Sequence, residues 1–388
     1  MTGDLGGGLD APDGLIGEAE LEELRAAVRD FLAAKADEAA VRAAVASDRG
    51  YDEKIWAQMA EQLGLQALAL PAEYGGDGAG VTALSVVLGE LGRALLPVPF
   101  LSSVVLAGTA LAAAGDGDAA GRLLPGIAAG TTLAALAAPG AGGGWDLGGV
   151  GGLAVTAQPG QGGVTLDGSA PLVVDGAGAD VVLVVAASPA GPTLCVVDGA
   201  AGGLTRTPLP TLDLTRRVAR LDFWSTPATV VGEPGAAAAV LRRVLDVATT
   251  ALAAEQVGGA RACLDAATAY ARDRVQFGRP IGTFQAVKHK CADMFTRIQV
   301  ADAAAREAAA ALDGVDGAPD PGLAAAVAHV VCSEAFMSAA AENIQVHGGI
   351  GFTWEHPAHL YFRRAKSSQL LFGGPAVYHE RLLARAGV

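Results

Sequence analysis

Apolar positions near the start of the chain recur at intervals of three and four. Leu21, Leu24, Val28, Phe31 and Leu32 share one face of the segment Leu15 to Lys35, which predicts an amphipathic helix with a buried stripe. Ile55, Trp56 and Met59 give a second helical pattern from Tyr51 to Leu63. The run from Pro71 to Gly80 breaks it, because Gly and Pro punctuate helices. Helix resumes from Val81 to Leu95, and Pro97 and Pro99 precede another helical run, Ser102 to Ala114.

From about Thr131 to Val231 the texture changes. Short β-branched segments appear at Val150–Thr156, Val164–Leu166, Pro171–Val174, Val181–Ala186, Thr193–Val197 and Ala219–Phe223. Gly, Asp and Pro separate them at hairpin-like intervals, which predicts a small antiparallel β domain. After Glu233-Pro234-Gly235, a helix-start signal, long helices are predicted over Ala236 to Arg274, Thr283 to Leu312 and Leu323 to Val346. Gly258 and Gly259 lie inside the first of these, where each costs about 1 kcal/mol relative to alanine. Close helix packing or close approach of a ligand is the expected reason. The order α, β, α gives an α+β chain with a helical domain over residues 1–130, a β domain over 131–232 and a helical bundle over 233–388.

Composition excludes several classes. The 388 residues carry 27 Lys+Arg against 41 Asp+Glu, a net charge of −14 that argues against bulk nucleic-acid binding. The 51% hydrophobic fraction is inflated by alanine, and the apolar runs read as broken by Gly, Pro or charge short of the roughly 20 residues of a membrane span. Met1 to Asp13 is Gly-rich with acids and no Lys or Arg, unlike a secretory signal. Cys195, Cys263, Cys291 and Cys332 are widely spaced with no CxxC, which points away from zinc and disulfides and fits a reducing cytoplasm.

Three motifs carry candidate chemistry. Arg274-Val-Gln-Phe277-Gly-Arg-Pro-Ile-Gly-Thr-Phe-Gln285 joins two predicted helices and offers a guanidinium fork for phosphate, a flat apolar ring and an amide. An ordinary helical turn with one surface arginine is the plain alternative. Gln345-Val-His-Gly348-Gly349-Ile-Gly351-Phe352 ends a helix in a Gly-rich turn, which is either a simple C-cap or a place where backbone approaches a phosphate-bearing ligand. Trp354-Glu-His356-Pro-Ala-His359-Leu-Tyr-Phe-Arg-Arg-Ala-Lys366 contains two histidines, but Pro357 interrupts the helix between them and no further metal ligand is evident.

Together with Pro71-Ala-Glu-Tyr-Gly-Gly and Tyr361-Phe-Arg-Arg-Ala-Lys, these motifs in this order resemble the acyl-CoA dehydrogenase family over nearly the whole chain after about residue 15. The resemblance implies an N-terminal α-helical domain, a middle antiparallel β domain and a C-terminal four-helix bundle. It implies a flavoprotein with FAD as cofactor that desaturates an acyl-CoA thioester at the α and β carbons, in fatty-acid or steroid degradation. Family members are dimers or tetramers in which a neighbouring subunit grips the adenosine-diphosphate part of FAD. Carried over residue by residue, that grip corresponds to Arg274, Phe277, Gln285, Gln345, Gly348 and Gly349. An electron-transfer flavoprotein is the implied acceptor.

The sequence departs from the family at the base. Many members carry a Glu in a Tyr-Glu-Gly-Thr stretch near the C-terminus; here the stretch reads Leu370-Leu371-Phe372-Gly373-Gly374-Pro375, with Phe372 or Gly374 at that place. Others carry the Glu on the first bundle helix, where Ala248 stands here. Glu255 lies two turns further on the same face, within an apolar run where a lone carboxylate is costly unless partnered or functional. It is the candidate catalytic base, with a salt bridge to Arg261 or to a neighbouring subunit as the alternative. The Thr-Glu-Pro-x-Ala-Gly-Ser-Asp flavin loop is reduced to Ala137-Ala-Pro139-Gly-Ala141-Gly142-Gly143-Gly-Trp145-Asp146, and an Asn-Gly pair becomes Asp175-Gly176.

This division resembles the actinobacterial members that form heterotetramers, in which one subunit brings base and flavin pocket and a paralogous subunit completes the cofactor grip. Open readings are an active dehydrogenase using Glu255, a non-catalytic partner subunit in a homo- or heterotetramer, a flavin-free helical scaffold, and an oxygen-using relative on the same fold.

Overall fold

A computed structural model describes residues 15–138, 152–160 and 163–386. The N-terminal part is built from α1 (Glu18–Lys35), α2 (Glu38–Ala46), α3 (Glu53–Leu63), α4 (Gly80–Ala94), α5 (Thr109–Ala113) and α6 (Gly117–Ala128). Asp37, Asp52 and Asp116 start α2, α3 and α6 by accepting backbone N–H groups that have no partner inside the helix. The periodic stripes do turn inward: Val28, Leu32, Ile55, Trp56 and Met59 enter the main core. Sequence pattern missed α2 and α6, which are short and rich in alanine or glycine. The run expected as plain helix over 102–114 begins instead as a buried π-helical turn, Leu101–Gly108. Such turns are often functional.

The middle part is one sheet of β1 (Ala134–Ala137), β2 (Val155–Gly160), β3 (Gly163–Val174), β4 (Val181–Ser188), β5 (Gly191–Asp198), β6 (Leu204–Pro208) and β7 (Val218–Val230). Its order is β1-β4-β2-β3-β7-β5, with β6 on β7, and β5 pairs back to β4. That closure leaves β4, β2, β3, β7 and β5 without a free edge. Most pairings are antiparallel as expected, while β1 and β2 both run parallel to β4. The two segments expected at 164–166 and 171–174 are one strand, β3, interrupted in pattern by register shifts around Gly168 and beyond Ala170. Strand β1, Ala-Ala-Leu-Ala, has no β-branched residue to announce it. Residues 150 and 151 of the first expected strand, and most of the reduced flavin loop, lie outside the described residues.

The C-terminal part contains α7 (Ala237–Asp273), α8 (Gln285–Leu312), α9 (Pro321–His347), α10 (Ala358–Leu370) and α11 (Pro375–Ala386). A two-stranded hairpin, β8 (Val275–Gln276) and β9 (Arg279–Pro280), links α7 to α8. Helix α7 is the axis of the molecule, buried without interruption from Val247 to Ala260 between α4, α8 and α9. The glycine pair at its centre is explained by packing. A Cβ on Gly258 would lie 1.8 Å from the carbonyl oxygen of Gly89 in α4, and one on Gly259 would lie 2.5 Å from the ring of Phe336 in α9. Helix α9, continued to Phe352, is longer and more apolar than the sequence reading allowed, with mean hydropathy 1.5 in a window 67% buried inside the protein. Its composition is accounted for by its place inside the bundle.

The glycine contacts generate a paired expectation. Gly258→Ala should cost about 2 kcal/mol or more in urea unfolding, because backbone and not a mobile side chain stands in the way. Gly121→Ala in α6, where an added Cβ meets nothing within 4 Å, should instead be neutral or gain up to about 1 kcal/mol.

Candidate functional site

Two places in the fold gather the residues singled out above. The first is the end of the bundle where α7 and α9 stop and α8 starts. Arg274 caps α7 in an extended conformation. The hairpin that follows turns through Phe277 and Gly278, both with left-handed backbone, φ 53° and 74°. Such two-residue turns suit glycine and asparagine, so a bulky aromatic there is held at a steric cost. The cost presents the Phe277 ring to solvent at 91% exposure. Phe284 supports it from the side, with ring centroids 6.0 Å apart, and the Arg279 guanidinium covers the Phe284 ring at 4.3 Å.

Gln285 opens α8, and Gln345 lies exposed in the last turn of α9. The Lys290–Glu342 ion pair, 2.5 Å, holds the start of α8 beside the end of α9. The rings of Tyr270 and His347, 4.4 Å apart, hold the ends of α7 and α9 together. Gly348, with φ 63°, closes α9 and leads into a 3-10 turn, Gly348–Phe352. A Cβ on Gly348 or Gly349 would meet nothing within 4 Å, so neither glycine is required by packing within this chain, although the φ of Gly348 itself favours glycine. Gly351 differs, because a Cβ there would press on His347 and Ile344. The structure therefore assembles Arg274, Phe277, Gln285, Gln345, Gly348 and Gly349 at one end of the bundle, all exposed. Among the described residues, the side chains of Arg274, Gln285 and Gln345 have no hydrogen bond or ion pair. A guanidinium, a ring, two amides and open glycine backbone facing outward suit a phosphate-bearing ligand shared with another surface.

The second place is the junction of all three parts. Glu255 on α7 is 3% exposed, and it does not pair with Arg261, which is bound to Asp302 at 2.9 Å. Its partners are two arginines that the sequence reading did not single out. Arg216, from the loop before β7, donates to both carboxylate oxygens at 2.8 Å. Arg364, from α10, donates to the same two oxygens at 2.9 and 3.2 Å. Arg364 also reaches the hydroxyl of Thr215 at 2.9 Å and Asp213 at 3.5 Å, while Arg216 donates to Ser368 at 3.1 Å. Two guanidiniums and two carboxylates make the buried group formally neutral. Burial alone pushes the Glu255 carboxyl up, but the two arginines more than reverse this and hold it below the ordinary carboxylate range. The sequence offered a hint in Tyr361-Phe-Arg-Arg-Ala-Lys and in Thr215-Arg216-Arg217, charges set among otherwise apolar positions.

No carboxylate stands where a base was sought: Gly374 is half-buried and has no side chain, and the other two positions are apolar and buried. Ala248 and Phe372 both belong to the main core, with Val244, Leu245, Leu252 and Phe100. The hydroxyl of Tyr378 donates to the Phe372 carbonyl at 3.3 Å. Beside the ion cluster a void of only about 20 Å³ is left, lined by Pro97 to Leu101, Val174, Asp175, Arg216, Glu255 and Arg364. The seam widens further out into a cavity of about 770 Å³ walled by the N-terminal part and the barrel, including Tyr51, Ser102, Asp175, Arg206 and Arg217. Among the described residues, none from the bundle helices lines that cavity. Asp175, at φ 53°, accepts a hydrogen bond from Ser102 at 2.6 Å there.

Comparison with known proteins places this architecture. Residues 18–131 match the profile of the acyl-CoA dehydrogenase N-terminal domain, and residues 237–387 match that of the acyl-CoA dehydrogenase C-terminal domain. The chain is 40% identical over 369 residues to the acyl-CoA dehydrogenase IpdE2 of Mycobacterium tuberculosis, covering 94% of this chain and 96% of that protein. It superposes with TM-score 0.85 and 35% identity on a chain of a variant of the Tcur3481–Tcur3483 steroid ACAD, covering 95% and 98% of the two chains. A chain of the ChsE4–ChsE5 complex from Mycobacterium tuberculosis gives TM-score 0.85 at 28% identity, covering 97% and 99%. The chain belongs to the acyl-CoA dehydrogenase family, flavoprotein oxidoreductases that typically use FAD.

Proposed function

We propose that this chain is a subunit of a heteromeric acyl-CoA dehydrogenase, holding the diphosphate half of FAD for a paralogous partner whose carboxylate removes the α-proton. The observation that carries the reading is the buried Arg216–Glu255–Arg364 cluster. A general base needs a free oxygen within reach of the proton it takes. Both oxygens of Glu255 are occupied by guanidiniums, and the low pKa that results weakens it further as a proton acceptor. The void of about 20 Å³ beside it holds no more than a water, far less than a thioester or a flavin ring. Ala248 and Phe372 are buried hydrocarbon, and Gly374 offers no side chain, so none of the remaining family positions carries a carboxylate.

The end of the bundle fits the cofactor's diphosphate half by its own chemistry. Arg274 offers a bidentate donor to phosphate, Phe277 an apolar face, Gln285 and Gln345 amides, and Gly348 and Gly349 a backbone with no side chain to block approach. FAD, when bound, supplies the acceptor for the β-hydride. This chain's residues bind and orient it, and the acyl-CoA proton is handled across the subunit boundary. Two of the similar structures, the Tcur3481–Tcur3483 steroid ACAD and the ChsE4–ChsE5 complex, bear two-chain names, which favours a heteromer and a steroid-derived CoA thioester as substrate class. An electron-transfer flavoprotein is the proposed acceptor.

The chain purified alone should not oxidise acyl-CoA, and co-purification with its paralogue should give a yellow, active assembly. Turnover by the single chain would overturn the reading. Arg274→Ala in the assembly should weaken FAD retention by about tenfold to a hundredfold, followed by flavin fluorescence on dilution. Glu255→Gln should cost about 3–5 kcal/mol in urea unfolding, since it leaves excess buried positive charge. It should leave turnover per bound flavin unchanged, whereas lost turnover in a folded Glu255→Gln assembly would restore Glu255 as the base.

A further inference from the structure

The bundle-end clamp is drawn from two stretches of chain, Arg274 to Gln285 and Gln345 to Gly349, and a stack of rings ties them to the segment that leads into α10. The Tyr270 ring, in the last turn of α7 and four residues before Arg274, lies 4.4 Å from the ring of His347. His347 ends α9, two residues after Gln345, and it also meets the ring of His356, with centroids 4.2 Å apart. The Gly348–Phe352 turn leaves from His347 and the chain returns at His356, so the two imidazoles staple the two ends of the turn. Gly351 completes the staple by folding onto the Cβ of His347.

Backbone contacts orient both rings, and the one at His356 requires its Nδ1 to carry no proton. His347 Nδ1 lies 2.8 Å from the carbonyl oxygen of Asn343 and must donate to it, because a carbonyl only accepts. His356 Nδ1 faces the N–H of Ala358 at 3.2 Å and must accept, so a proton there would break the contact. We propose that the Tyr270–His347–His356 stack positions the diphosphate clamp and works only while the His356 imidazole is uncharged, so that cofactor grip loosens in acid. The inference rests on the clamp reading given above.

The surroundings point the same way. His356 is faced by His347, by His359 of α10, and by Glu38 and Arg42 of α2. Glu38 and Arg42 are paired with each other at 2.8 Å, which largely cancels their influence and leaves three imidazoles together. Lost hydration, then the neighbouring His347, push the His356 imidazole below its ordinary range. For a histidine lowered in this way, the loosened state binds more protons. The ordered stack is therefore fully stable above the ordinary imidazole value and loses stability as pH falls below it.

The test uses the assembled protein with FAD as probe, together with histidine C2–H NMR of the chain without added cofactor. FAD affinity should fall about five- to tenfold between about pH 7.5 and about pH 5.5. His356→Phe, which keeps a ring and removes the proton site, should preserve affinity at neutral pH and flatten the profile. His356→Ala should weaken affinity at every pH, and Tyr270→Phe should behave as the parent. A parental pH profile in His356→Phe, or full affinity in His356→Ala, overturns the proposal. Absence of FAD binding at any pH removes the clamp reading, and NMR then decides the stack by itself. Titration of His356 below the ordinary imidazole range supports it; titration at the ordinary value overturns it.

Discussion

Glu255 is a carboxylate set into the stretch of α7 that has no solvent-facing side, and everything around it is arranged to make that tolerable. An unpaired charge at such depth is prohibitive, so positive charge must be brought in from elsewhere in the chain. Arg216 comes from the barrel and Arg364 from α10, which means that neutralising one side chain fixes how barrel, bundle and terminal helices meet. Asp213 balances the second arginine, and Thr215 and Ser368 occupy further donors. The cluster lies in the interdomain junction, and it fills that junction with groups that are already satisfied by one another.

A buried ion cluster of this kind is weak evidence of added stability, because dehydration of four charges offsets most of the attraction. Its consequence is geometric. Hydrophobic side chains of similar volume would seal the junction and leave the barrel freer to shift against α7, whereas bidentate guanidinium contacts set distance and orientation together. Phe100 and Leu101, at the start of the packed π-helical turn, line the void beside the cluster from the apolar side. The same chain thus has a rigid, filled interior and a chemically open bundle end. That contrast separates the two roles a family member has to combine, proton abstraction and cofactor grip.

Much of this was legible in the sequence where a physical signal is local. The expected bounds of the long helices α7, α8 and α9 lie within a few residues of those observed. The hairpin at Phe277-Gly278 and the turn at Gly348 were marked by residue types with particular backbone needs. What stayed hidden depends on contacts distant in sequence. Arg216 and Glu255 are 39 residues apart, and Arg364 is 109 residues from Glu255, so no spacing announced their meeting. Strand β1 was hidden for the same reason, since Ala-Ala-Leu-Ala becomes a strand only because β4 is beside it.

The bundle end also shows why exposure carries information that burial does not. A buried glycine such as Gly258 is explained by what it touches. Gly349 touches nothing that would forbid a side chain, and Phe277 holds an unfavourable backbone angle to place its ring in water. Neither feature lowers the energy of the isolated chain, and the second raises it. Strain that has no return inside the molecule implies a return outside it, through contact with a ligand or a second surface. Arg274, Gln285 and Gln345, polar and facing outward beside them, narrow that outside contact to something with oxygens to bind and a flat apolar portion to cover. The filled junction and the strained, open rim are therefore two halves of one arrangement, and the proposed reading gives the rim its purpose in contact with another subunit.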